Sequence, residues 1–132
     1  MQLLDHVSIA VRDLQRARGF YDAVMAVLGA QTAYERSDAV GYGERNRNGD
    51  DAHTYISIYQ SSSAHSDGRR HYCFRAGSAE AVRKFHASGL AAGGRDAGVP
   101  GLRPHYHARY YAAFLEDPEG NRIEAVSHRG DE

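Results

Sequence analysis

The chain opens with Asp5-His6-Val7-Ser8-Ile9-Ala10-Val11, and at its midpoint it begins again with His71-Tyr72-Cys73-Phe74-Arg75-Ala76. Setting His6 on His71 gives a gapless offset of 65 residues. Under that offset Asp13 falls on Ser78, Ala17 on Val82, Phe20 on Phe85, Tyr21 on His86 and Gly29 on Gly94. Carried further, Ile58 falls on Ile123 and Tyr59 on Glu124. Each half reads as a short strand, a capped helix ending at glycine, and a run of strands. A repeat of this kind builds a pseudo-symmetric pair, and a cleft between paired modules is a natural place for a ligand. The two corresponding first strands each carry a histidine, and the last strand carries a glutamate.

Local patterning fills in each half. Over Leu3 to Val11 the alternation puts Asp5, Val7, Ile9 and Val11 on one face and Leu4, His6, Ser8 and Ala10 on the other. Asp13 can cap the following helix, in which Leu14, Ala17, Tyr21, Val24, Met25 and Leu28 recur at helical spacing. Strands are expected near Gln31–Arg36, Ala39–Gly43 and His53–Tyr59, with an exposed loop over Glu44–Ala52. Ser61–Arg70 is polar and aperiodic and joins the halves. In the second half Ser78 caps a helix reaching about Ala92, with Val82, Phe85, His86 and Leu90 facing inward. The glycine- and proline-rich stretch Arg95–Pro104 reads as a long loop. Strands follow at Tyr110–Glu116 and Arg122–Ser127, around a type I turn at Asp117-Pro118-Glu119-Gly120. His128–Glu132 reads as a frayed end.

The pattern implies one α+β domain over residues 1–132, made of two βαβββ modules (about 1–65 and 66–132) in pseudo-twofold repeat. Their curved mixed sheets would enclose a cleft. A half alone is too short to bury a sufficient core. The net charge of −1 leaves no electrostatic footprint for nucleic acid or an anionic membrane. No apolar run is long enough to span a bilayer. The single cysteine, Cys73, excludes an intrachain disulfide and suits a reducing compartment. These features point to the cytoplasm. Cys73 itself reads as a small buried apolar residue within a strand.

Three stretches in order carry a family resemblance: the opening Asp5–Val11, the midpoint His71–Ala76, and the closing Asp117-Pro118-Glu119-Gly120-Asn121-Arg122-Ile123-Glu124. Together they resemble the vicinal oxygen chelate superfamily of glyoxalase I, bleomycin-resistance proteins and extradiol dioxygenases. The resemblance covers essentially the whole chain. It implies metal ligands on the first and last strands of the modules, which here are His6, His71 and Glu124. Imidazole nitrogen and carboxylate oxygen suit Fe(II), Ni, Co, Mn or Zn. The fourth position departs from the glyoxalase I pattern, which has Glu or Gln there. Strict register gives Tyr59 and a two-residue slip gives Ser57. A three-ligand site fits better, with open positions for a bidentate substrate.

A second group of candidates lies in Pro104-His105-Tyr106-His107-Ala108-Arg109-Tyr110-Tyr111. His105, His107 and Tyr110 are candidates for moving a proton or contacting substrate, because histidine titrates near neutrality and tyrosine can donate. Tyr59, Tyr106 and Arg103 are candidates for substrate binding. His86 reads as structural.

Two functions stay open on the sequence. One is a metal-dependent enzyme, a lyase, isomerase or ring-cleaving dioxygenase, acting on a small molecule with adjacent oxygens. The other is a metal-free protein that binds or sequesters a small molecule, as resistance proteins of the superfamily do. The resemblance also implies a homodimer, since members commonly pair chains to complete their clefts.

Overall fold

The computed structural model describes residues 1–132. In chain order the first module is β1 (His6–Val11), α1 (Leu14–Leu28), β2 (Thr32–Arg36), β3 (Ala39–Gly43) and β4 (Tyr55–Gln60). The second is β5 (His71–Arg75), α2 (Ala79–Ala91), β6 (Arg95–Leu102), β7 (Tyr111–Glu116) and β8 (Arg122–Ser127). The sheets have the equivalent orders β1-β4-β3-β2 and β5-β8-β7-β6. In each, the first and last strands pair in parallel and the rest antiparallel. The two sheets remain separate rather than closing into one.

Both helices start as their caps dictate. The Asp13 carboxylate accepts from the Arg16 amide at 3.0 Å, and the Ser78 hydroxyl from the Ala81 amide at 3.1 Å. Such a bond satisfies one of the amides that a helix N-terminus leaves unpaired. α1 stops at Gly29, whose φ of 79° lies in the left-handed region.

The modules share one core. Phe20, Tyr21 and Val24 of α1 lie with Val82 and Phe85 of α2 and with Ile58, Leu115 and Ile123 of the sheets. The helices approach closely because α2 carries Gly89: a Cβ there would stand 2.3 Å from Leu115 Cδ1 and 3.2 Å from Phe20 Cε2. A polar link also crosses between modules. Asp117, fully buried, accepts from the Tyr21 hydroxyl at 2.8 Å and from the amide and side chain of Asn121, both at 2.9 Å. From the same turn, Glu119 accepts from the amides of Arg12 and Asp13 at 2.6 and 2.7 Å. No helix is long and apolar enough to cross a membrane.

Several expectations need correction. β1 begins at His6, and Leu3 and Leu4 are exposed. Arg95–Leu102 is a strand, not a loop. It is an edge strand with bulges, where proline and glycine are tolerated because one side needs no ladder bonds. Leu90 is exposed, and Ala79 and Gly89 take its place on the inner face of α2. The C-terminus is tied down: the Ala79 amide donates to the Glu132 carbonyl at 2.8 Å and the Gly130 amide to the Arg109 carbonyl at 2.9 Å.

Candidate metal centre

The helices cover one face of each sheet and leave the other open. On the second sheet the open face carries a row in which Cys73 of β5, Glu124 of β8 and Phe114 of β7 stand side by side. Glu124 is only 2% exposed, an uncommon place for a carboxylate. Its Oε1 stands 3.3 Å from His71 Nε2, and its Oε2 accepts from the Tyr110 hydroxyl at 2.5 Å. Burial, and then the hydrogen bond to Glu124, push the Tyr110 phenol above its ordinary range, so it stays a donor. Cys73 is on this open face and solvent-accessible, not in the core. Partial desolvation of its sulfur against the sheet, reinforced by the Glu124 carboxylate, pushes the thiol up to about 12. It is a poor nucleophile there.

His6 lies on the open face of the first sheet. Its Nδ1 is 2.7 Å from Asp5 Oδ1, and Asn46 in turn donates to the other Asp5 oxygen. The ring stacks on Tyr55 with centroids 4.8 Å apart. A carboxylate on one ring nitrogen fixes the tautomer and leaves the Nε2 lone pair free to ligate, the arrangement found behind metal-bound histidines. Within one chain, however, no three His, Cys, Asp or Glu side chains converge to hold an ion. The structure brings together His71 and Glu124, and puts His6 apart from them.

The counterpart of Glu124 is settled by strand pairing. His6 faces Tyr55 and Ser8 faces Ser57, whereas His71 faces Arg122 and Cys73 faces Glu124. Ser57, not Tyr59, therefore stands where Glu124 stands in the second sheet. The 65-residue offset fails there because the second module is two residues longer between its first and last strands. Ser57 is buried and accepts from the Tyr34 hydroxyl at 2.6 Å.

The Pro104–Tyr111 candidates divide. Tyr110 reaches Glu124. His107 is engaged at both nitrogens: the Arg109 amide donates to Nδ1 at 3.1 Å, so Nε2 carries the proton and donates to His128 Nδ1 at 2.9 Å. Tyr110 packs edge-on against both imidazoles. His128 was hidden from sequence reasoning because it follows the last strand without periodicity. His105 packs at a tilt against the exposed Tyr106, and Tyr106 likewise against Tyr110. Arg103 donates to the carbonyls of Gly101 and Val99, with its guanidinium over Phe114. Tyr59 stands on the first sheet beneath Arg36. His86 pairs with Asp96 at 2.9 Å and joins α2 to β6, a structural role. A partly open cleft of about 140 Å³ sits at the seam between modules, lined by residues including Ser8, His65, Arg70, Tyr72 and Arg122.

Two repeated βαβββ modules, with a histidine opening each first strand and a buried carboxylate on the final strand, define a protein of the vicinal oxygen chelate type. The chain belongs to the Glyoxalase/Bleomycin resistance protein/Dioxygenase superfamily, whose family model matches residues 3–125. Among solved structures it is similar to a glyoxalase/bleomycin resistance protein from Albidiferax ferrireducens. The identity is 29% and the TM-score 0.80, over 95% of this chain and 98% of that one. A family enzyme from Burkholderia phytofirmans gives 24% identity and a TM-score of 0.68, over 95% and 98%. A variant of the fosfomycin resistance protein FosX from Listeria monocytogenes, complexed with Mn(II) and 1S,2S-dihydroxypropylphosphonic acid, shares the fold. There the identity is 17% and the TM-score 0.66, over 96% and 90%. No curated protein matches the chain.

Proposed function

We propose that the protein is a metal-dependent vicinal oxygen chelate enzyme, a homodimer acting on a small molecule with two adjacent oxygens. His6, His71 and Glu124 would hold the ion. The observation that carries this reading is the His71–Glu124 pair. Two donors 3.3 Å apart suit neighbouring ligands on one ion with bonds of about 2.0–2.2 Å. A buried carboxylate whose one ion-pair partner is the His71 imidazole also calls for a cation. When bound, such an ion supplies Lewis acidity at the substrate oxygens.

The chain's own residues do the rest. Asp5 orients His6, and Tyr110 orients Glu124. Cys73 stays a thiol. His105 and Tyr106 border the open face, where they can contact substrate, together with Tyr59 and Arg103. His107 supports Tyr110. Because His6 lies apart from His71 and Glu124 in one chain, the site is completed by setting the first sheet of one copy against the second sheet of another. The exposed Met1, Leu3 and Leu4 beside His6 supply apolar surface for that contact. Isomerisation, lyase chemistry and ring-cleaving dioxygenation all fit such a centre, and the fold does not choose among them. The replacement of a carboxylate by Ser57 favours one other reading, a metal-free small-molecule binder.

Elemental analysis of untagged protein tests the first point, with Mn(II) the first ion for reconstitution, as in the Listeria relative. Mixing His6→Ala with Glu124→Ala chains tests the second. Each homodimer should lose the ion, and the mixed dimer should regain one intact site. Failure to bind any divalent ion would favour the metal-free binder. Failure of mixing alone would place the site within one chain.

A further inference from the structure

The open face of the first sheet is cationic and aromatic. Its rows place His6 beside Tyr55 and Gly43, Ser8 beside Ser57 and Gly41, and Ala10 beside Tyr59 and Ala39. No carboxylate stands in these rows, because Ser57 takes the position that Glu124 holds in the second sheet. Tyr34 lies flat across Gly41, where a Cβ would come within 2.2 Å of its ring, and its hydroxyl reaches Ser57.

Two guanidiniums sit over these rings. Arg45 Cζ is 4.0 Å from the centre of Tyr34 and 5.5 Å from that of Tyr55. Arg36 Cζ is 5.3 Å from Tyr34 and 5.5 Å from Tyr59. Ring faces position an arginine without neutralising it or using its in-plane N–H groups. Several arginines elsewhere are satisfied within the chain: Arg18 by Glu35, Arg70 and Arg103 by backbone carbonyls. Arg45 makes no ion pair, and Arg36 has only a 3.8 Å contact to Asp38. Both are exposed. The phenol of Tyr59 is held below its ordinary range by the Tyr34 hydroxyl and, to a smaller degree, by Arg36.

We propose that this face binds the oxyanionic group of the substrate, a carboxylate or a phosphoryl or phosphonyl group, with Arg45 and Arg36 taking its oxygens and the Tyr59 hydroxyl beside them. Planar guanidinium forks match both oxyanion types, and charge complementarity selects the ligand. The proposal names a substrate class for the site proposed above and rests on that reading only in making this face one wall of it. Anion binding itself needs no ion.

The chain has nine tyrosines and no tryptophan, and Tyr34, Tyr55 and Tyr59 of this face contribute to its intrinsic fluorescence. Metal-free protein is titrated with phenylphosphonate, benzoate and, as the uncharged control, benzamide, followed by fluorescence and calorimetry. Phenylphosphonate or benzoate should bind at least tenfold tighter than benzamide, and the stronger of the two identifies the oxyanion. Arg45→Gln and Arg36→Gln should each weaken that binding about tenfold, with melting temperature and metal content unchanged. Arg69→Gln, in the linker, should leave it unaltered. Glu124→Gln should lose the ion yet keep the anion. Equal binding of benzamide, or full affinity in both arginine variants, overturns the proposal and leaves the metal reading standing. Retained anion binding in a protein that takes up no ion supports it and removes the metal reading instead.

Discussion

The Tyr110 hydroxyl donates to Glu124 Oε2 at 2.5 Å, on a carboxylate whose other oxygen is 3.3 Å from His71 Nε2. The sequence offers Tyr110 as a group that meets substrate, but in the structure its proton is already committed to Glu124. Loss of such a supporting hydrogen bond typically weakens metal binding about 10–100-fold. Tyr110→Phe should therefore weaken the divalent ion by that order, measured by competition with a chromophoric chelator. Unchanged metal affinity with a raised KM would return Tyr110 to the substrate.

The fold was legible because hydrophobic period, caps and the repeat agree in both modules. The site was legible only in part. Ser57 could not be told from Tyr59 because both lie on one strand face, and only the parallel pairing with β1 separates them. Glycine in Arg95–Leu102 reads as a loop signal, yet Gly98 is there because a Cβ would come within 2.9 Å of Phe114. The first sheet solves the same problem in reverse, with Tyr34 on the outer strand laid over Gly41. Cys73 and Phe74 alternate faces by the strand period, but which face is open depends on where the helices pack. His128 gains meaning only from His107, 21 residues earlier.

Gly89 sits inside α2, where propensity alone favours alanine by about 0.8–1.0 kcal/mol. The added methyl would meet Leu115 at 2.3 Å. Overpacking of this kind costs about 1–3 kcal/mol. Gly89→Ala should lower the urea midpoint with little change in slope. Leu115→Val in the same background should recover part of the loss, by removing the atom in conflict. Stabilisation by Gly89→Ala alone would show that the helices separate without cost.

Asp117 gathers the Tyr21 hydroxyl, the Asn121 side chain and the amides of Glu119 and Asn121 around one buried carboxylate. A hydrogen bond to a charged group contributes about 1.5–3 kcal/mol. Tyr21→Phe, which removes one, should cost about that much in equilibrium unfolding. Asp117→Ala, which removes all four, should cost more than Tyr21→Phe and loosen both modules together, because the cluster spans them. Equal losses from the two substitutions would confine its effect to the α1 contact.

Asp96 gives the protein an acid-sensitive joint between α2 and β6. Its carboxylate is held below the ordinary value of 3.8, first by the hydrogen bond from His86 and then by the Gly98 amide. A group whose folded pKa is depressed stabilises the fold above its unfolded pKa, because the unfolded chain takes up the proton first. That contribution is fully present above the unfolded value and fades as pH falls through the folded one, a window at and below about pH 4. Asp96→Asn should therefore lower the melting temperature at pH 7 and lose less on acidification than the parent. The two melting curves should draw together as pH falls below about 4. Because Asp96 is half exposed, the effect should also shrink in high salt. Parallel curves down to pH 3 would show that the His86–Asp96 contact does not depend on the carboxylate charge.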